Sequence, residues 1–506
     1  MFTRVWQGSR STRTQHVALL ALLLQPALLL IDFGHFQYNS IMLGFTLLAM
    51  NFFASGHDLF GAICFTLSLG FKQMALYYAP AIGSYLLAKC LYLGPDQGLK
   101  LFIRLGVVTA ATFTLLFLPF LPPFAPLSGI LQPINRIFPF ARGLFEDKVA
   151  NFWCASNVAF KWNTWFSRGA LVKLSTALTA VGFLPSVVGL LYSGYTHRLT
   201  APGSRVKPAD LQKAVSAPPP FLSLLPYALM CSSMSFFLFS FQVHEKTILV
   251  PLLPLTLLLS GSAGDSETFE LAALVNNVAV FSMWPLLKRD GLGTQYIAML
   301  LIWNRVIGYN PFTQPRSYLR SLALAIYIAC ISLHILELIL PPPAPLPDIY
   351  PVLNVLISTP VFGLTWLWSI KRGVEVGWAT GGLVRASPSP SGATPIHGGA
   401  PVLKASASME STSTTTSVAS AGVTQKKLWR NTVSGETTGR LRAWSWAEAQ
   451  KMSNLPPSGG GGFASSSALG GGDVEGETGR VDQRRSVTVG YREGAGILRT
   501  ASTDAV

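Results

Sequence analysis

From Val17 to about Ile370 the chain is a succession of apolar stretches joined by short polar or proline-rich connectors, and nothing else in it restricts the fold so strongly. About twelve such stretches are visible, near 17–31, 41–54, 59–71, 75–89, 101–119, 171–193, 221–241, 247–261, 268–286, 291–308, 319–340 and 350–370. Only 12% of the 506 residues are charged and 50% are hydrophobic. Soluble domains carry about 25% charged residues, so an ordinary soluble enzyme is excluded and a multi-span membrane protein is expected. Backbone groups in lipid must be satisfied within the chain, and the alternating pattern of a barrel is absent, so the spans are predicted to be helices. The stretches 41–54, 59–71 and 75–89 fall short of a straight span, which predicts short, tilted or re-entrant helices there.

Three regions follow from composition. Residues 1–16 form a basic N-terminus, 17–370 the multi-span domain, and 371–506 a tail rich in Ser, Thr and Gly. The tail has too few large apolar side chains to offset chain entropy and is expected to be disordered. The net charge of +15 is read first as an orientation signal rather than as a nucleic-acid footprint, and no nucleic-acid partner is expected. Arg4, Arg10 and Arg13 precede the first apolar stretch and place the N-terminus in the cytosol. Alternation from there puts Lys89, Lys100, Arg104, the loop with Arg198, Arg205, Lys207 and Lys213, then Arg316, Arg320, Lys371 and the tail on that same side. No small-residue cleavage site follows the first apolar run, so a retained anchor is expected. The five cysteines show no CxxC spacing, which argues against a disulfide framework or a zinc site.

The opposite face receives 31–40, the loop 120–170, "QVHEK" (242–246) and "LLKRDG" (286–291), with charges that the orientation rule does not require. An anionic substrate group is one reason for basic residues there. Asp32, His35, Gln37, Tyr38 and Asn39 gather an acid, an imidazole, two amides and a phenol at a membrane boundary, suited to sugar hydroxyls and a phosphate or, equally, to an interfacial belt with a helix cap. Lys72 reads either as a snorkelling side chain or as an ammonium that pairs with a lipid-linked phosphate. In "FPFARGLFEDKVANFWC", Arg142 fits a phosphate or an i,i+4 pair with Glu146, while Asp147 and Lys148 complete a charged face. His244, Glu245 and Lys246 are three consecutive ionisable groups between apolar segments, costly unless paired, solvated or used. Neither an HExxH zinc motif nor a glycine-rich phosphate loop is present, so no metal and no cofactor are expected.

The segments "LLIDFGHFQYN", "KQMALYYAP", "FPFARGLFEDKVANFWC" and "FFLFSFQVHEKTILVPLLPL", in that order, resemble the dolichyl-phosphate-glucose-dependent α-1,3-glucosyltransferases of the endoplasmic reticulum over roughly residues 15–370. "KQM" and "GLFEDKVANFWC" are similar to the branch that adds the first glucose to Man9GlcNAc2-diphosphodolichol. The resemblance implies an all-α polytopic GT-C fold in the endoplasmic reticulum membrane with a luminal active face. It implies dolichyl phosphate glucose as donor, the dolichol-diphosphate-linked oligosaccharide as acceptor, and a single inverting displacement. It further implies that the acidic base lies upstream of this chain, in a first luminal loop with a Tyr-Pro-Pro element. The N-terminal part of the fold is thus expected to be missing, and no catalytic base is assigned within these residues. Phe33 stands where such proteins commonly carry His. Asp32, His35, Gln37, Tyr38, Asn39, Lys72, Arg142, Glu146, Asp147, Lys148, His244, Glu245 and Lys246 are the candidates for holding donor and acceptor. The alternatives are a family member that is catalytically incomplete, or a binder or transporter of lipid-linked sugars that does no chemistry.

Overall fold

The computed structural model describes residues 11–137, 148–199, 208–241, 243–312 and 317–381, and among them every regular element is helical. The principal helices are α1 (Thr12–Leu23), α2 (Asn39–Ala54), α3 (Asp58–Phe71), α4 (Ala79–Phe117), α5 (Arg168–Thr196), α6 (Leu225–Phe239), α7 (Leu249–Gly261), α8 (Glu267–Ser282), α9 (Gly293–Ile307), α10 (Tyr318–Ile339) and α11 (Ile349–Ala379). Their starts follow local chemistry. The hydroxyls of Ser11, Ser167, Ser266 and Ser317 each accept from a backbone N–H of the first turn of α1, α5, α8 and α10.

Each apolar stretch has become helix. Among the described residues five stretches are long and apolar enough to cross a bilayer: Gln73–Phe120, Arg168–Thr196, Leu211–Phe239, Tyr318–Ile339 and Ile349–Ala379. A sixth is gained if Thr12–Leu23 and Pro26–Gly34, bent by 42°, act as one span. Helices α2 and α3, of 16 and 14 residues, are short as expected. They form a hairpin through Ser55-Gly56-His57, where Gly56 takes φ 76°. The expected separate helices at 75–89 and 101–119 are two arms of α4, folded at Gly94 with φ 83°. Gly98 permits the close return: a Cβ there would lie 2.0 Å from the carbonyl oxygen of Cys90.

Helices α6, α7 and α8 are buried along most of their length and form the centre of the bundle, with Leu229, Met230, Phe237, Val250, Leu255, Ala272 and Val278 at 0–1% exposure. The outer helices differ. Leu99, Phe102, Ile103 and Val107 of α4, Val181 and Leu184 of α5, and Ile328, Ile331 and Ile335 of α10 are exposed. Water would make so much bare apolar surface unfavourable, whereas lipid accepts it. The chain is a multi-pass membrane protein.

Charge inside the bundle is paired. Lys89 of α4 donates to Asp58 at the start of α3 at 2.5 Å, and both are buried. Glu270 of α8 meets Arg320 and Ser317 at the start of α10. A buried pair of this kind adds little by itself, but losing one partner strands a charge. Both pairs sit at the opposite end of the bundle from the cluster described next. Asp58 is a full helix, about 20 Å, away from Lys72.

Candidate active site

Four chain segments meet at the end of the bundle where α1's continuation stops and α2 begins. The first is the reversal 30–40. A π-turn, Leu30–Gly34, closes with His35 N donating to Leu30 O at 2.9 Å. Phe36 then adopts a left-handed φ of 62°, which costs a non-glycine residue roughly 1 kcal/mol or more. This reversal turns the chain back on itself and brings Asp32 beneath the first turn of α2. Its carboxylate accepts from Asn39 N at 3.2 Å, from Asn39 Nδ2 at 2.8 Å, and from the backbone N and the hydroxyl of Ser40. Asp32 is thus a buried cap of α2 with its oxygens engaged.

Lys72 ends α3 in an extended conformation, φ −151°. Its ammonium donates to Gln37 Oε1 at 2.9 Å and to Asn39 Oδ1 at 2.6 Å. Lys246 comes from the one-turn helix Glu245–Ile248 that leads into α7, held by Thr247 bonded to the carbonyl of His244. Its Nζ lies 3.4 Å from His35 Nε2. The other ring nitrogen, Nδ1, is 2.5 Å from Asp290 Oδ2. Asp290 closes the short helix Trp284–Arg289 after α8, and Leu292 behind it packs so tightly on Gly34 that a Cβ there would lie 2.8 Å from its methyl.

Three carboxylate-free contacts define the electrostatics. Neither ammonium makes an ion pair with an acid among the described residues; each is bonded to amide oxygens or imidazole. Burial holds Lys72 below the ordinary lysine value, Asp32 pulls it back up, and the positive charge of Lys246 lowers it further. Two cations that feel one another and lack a direct counter-ion form a place for an anion.

The remaining candidates are distributed as follows. Tyr38 is exposed and stands edge-on to Phe36, centroids 5.6 Å apart. His244 and Glu245 are half-buried beside Lys246. Lys148 is held by Asp348 before α11, and with Lys161, Cys154 and Asn157 lines a separate cavity of about 170 Å³. Arg142, Glu146 and Asp147 lie outside the described residues. Among the described residues no three His, Cys, Asp or Glu side chains are grouped to hold a metal ion.

The order and content of these segments agree with a family model: the ALG6, ALG8 glycosyltransferase family matches residues 1–368. The chain belongs to that family. Among relatives, the Saccharomyces cerevisiae dolichyl pyrophosphate Man9GlcNAc2 alpha-1,3-glucosyltransferase is 41% identical over 402 residues, covering 73% of this chain and 68% of the yeast protein. The probable enzyme of the same name from Schizosaccharomyces pombe is 39% identical over 380 residues, 74% of this chain and 68% of its own length. The Mus musculus enzyme is 34% identical over 397 residues, 72% and 71%. This member of the ALG6, ALG8 family is a glycosyltransferase built on a multi-pass helical bundle.

Sequence reasoning missed two members of the cluster. Ser40 donates its hydroxyl to Asp32, and Asp290 meets His35 from a segment 255 residues away. The signal for Asp290 was present in "LLKRDG", a charged connector on the face that needs no orienting charge, but only packing reveals its partner.

Proposed function

We propose that this chain transfers glucose from dolichyl phosphate glucose to the Man9GlcNAc2 glycan of a dolichyl pyrophosphate, in α-1,3 linkage, on the luminal side of the endoplasmic reticulum membrane. The N-terminus and the tail then face the cytosol. The observation that carries the chemistry is the Lys72–Lys246 pair, bonded to Gln37, Asn39 and His35 rather than to carboxylates.

In an inverting displacement an acceptor hydroxyl attacks the anomeric carbon and yields its proton to a general base, for which no residue is assigned here, while the bond to the dolichyl phosphate oxygen breaks. The donor is a phosphodiester with one negative charge. The departing monoester carries roughly −1.5 to −2 near neutral pH. Two fixed ammoniums therefore gain more as the bond breaks than on binding the donor, and that difference lowers the barrier. Gln37 and Asn39 keep one lysine aimed, and His35 the other. Sugar hydroxyls are within the chemical repertoire of Tyr38 and Glu245 at the rim.

The test is glucosyl transfer in microsomes from cells that lack the endogenous first glucosyltransferase, using this chain and an N-terminally extended version. Lys72→Ala and Lys246→Ala are expected to lower kcat/KM for the donor by tenfold or more each, the size of a hydrogen bond to a charged group, roughly 1.5–3 kcal/mol. Unchanged donor kinetics in both variants would return the lysines to membrane anchoring. Binding of donor without transfer by either version would favour a non-enzymatic carrier.

A further inference from the structure

Among the described residues, each lysine of the site reaches a carboxylate through one intervening side chain. Asn39 donates from Nδ2 to Asp32 at 2.8 Å and accepts from the Lys72 ammonium on its Oδ1 at 2.6 Å. His35 faces Asp290 with Nδ1 at 2.5 Å and Lys246 with Nε2 at 3.4 Å. The two chains come from different parts of the sequence, yet they repeat one arrangement: acid, neutral relay, ammonium.

The chemistry of amide and imidazole explains what the acids do there. Both groups carry a donor and an acceptor, and both can turn either way. A carboxylate only accepts, so it claims the donor side. Asp32 thereby turns the amide oxygen of Asn39 towards Lys72. The Lys246 ammonium can only donate, so Nε2 offers it a lone pair and the ring proton faces Asp290 on Nδ1. A carboxylate in direct contact with either ammonium would instead compete with a phosphate for it. Separation by one neutral group orients the cation without neutralising it.

We propose that Asp32 and Asp290 are positioning residues for the glucosyl donor, holding the ammoniums of Lys72 and Lys246 aimed and unneutralised through Asn39 and His35. This rests on the phosphate reading given above. Asp290 tests it most cleanly, because Asp32 also caps α2.

The full-length protein in its membrane is assayed for transfer with donor and acceptor varied separately. Asp290→Ala is expected to raise the donor KM about tenfold, as for loss of one hydrogen bond to a charged group, with the acceptor KM within twofold. A loosened fold would instead reduce the active fraction, and so kcat, at constant KM for both. Asp290→Asn retains an oxygen that accepts from Nδ1 and is expected within about threefold of the parent. In a His35→Ala background, Asp290→Ala is expected to raise the donor KM by no more than twofold further, because the relay is already gone. Gln37→Glu probes the second half of the idea. It is isosteric and keeps the bond to Lys72, but sets a carboxylate directly on the ammonium, so donor KM is expected to rise about tenfold. Parent-like donor KM in either Asp290→Ala or Gln37→Glu, or full multiplication of the Asp290→Ala effect on His35→Ala, overturns the proposal. Lys246→Ala separates the two readings. If it leaves donor KM unchanged, the phosphate site falls and the positioning role with it. If it raises donor KM while the Asp290 variant does not, only the positioning role falls.

Discussion

Lys72 is the residue at which structure, charge and reaction meet most directly, and its replacement by methionine gives a quantitative forecast. An ammonium has three N–H donors. Two are committed, to Gln37 at 2.9 Å and Asn39 at 2.6 Å, which leaves the third for a phosphate oxygen. A hydrogen bond from a charged group contributes roughly 1.5–3 kcal/mol, so Lys72→Met is expected to lower kcat/KM for the donor by about 10- to 150-fold. The pH dependence carries a sign of its own. Burial and the nearby charge of Lys246 hold Lys72 below the ordinary lysine value, against the pull of Asp32. Donor capture needs the protonated form, which is lost as pH rises through that lowered value. The alkaline fall in kcat/KM therefore sets in at lower pH than a free lysine would give. Bound phosphate favours the ammonium, so the corresponding limb of kcat lies at higher pH. Lys72→Arg keeps its charge throughout and is expected to move the alkaline limb upward. Initial rates of transfer between about pH 6 and 10 decide the matter. A Lys72→Met variant within twofold of the parent, or an alkaline limb identical in Lys72→Arg, would refute the reasoning.

Other consequences concern the scaffold and are read by thermal unfolding of the detergent-solubilised protein. Lys89→Met strands the carboxylate of Asp58, whose second oxygen has no partner, and is expected to cost about 3–5 kcal/mol; adding Asp58→Asn should recover most of it. Gly98→Ala drives a methyl into the Cys90 carbonyl and is expected to destabilise by about 1–3 kcal/mol or more, whereas Gly106→Ala, with nothing within 4 Å, should be close to neutral. Ser266→Ala removes the oxygen that accepts from Phe269 N at 3.2 Å and is expected to lower stability by about 1 kcal/mol.

The membrane class and the helical character were legible in the sequence because both depend on local composition. A run of apolar residues must leave water, and in lipid its backbone must bond to itself. The short α2 and α3 were legible for the same reason, and so were the polar clusters at 32–39, at 72 and at 244–246, since ionisable groups between apolar runs carry a cost wherever the chain places them. Whether those groups meet is a different question. Asp32 looked like a possible ligand, and only the left-handed turn at Phe36 shows its oxygens closing the first turn of α2. Lys148 was a candidate for the donor phosphate or the acceptor diphosphate, and the fold places it beside Asp348. Asp290 drew no attention as a residue, and packing of Leu292 against Gly34 brings it onto His35. Local sequence thus determined which segments are apolar helices and which polar groups are left at their ends. The tertiary structure alone decided which of those ends come together, because that depends on contacts between helices far apart in the chain, and no spacing along one strand of sequence encodes them.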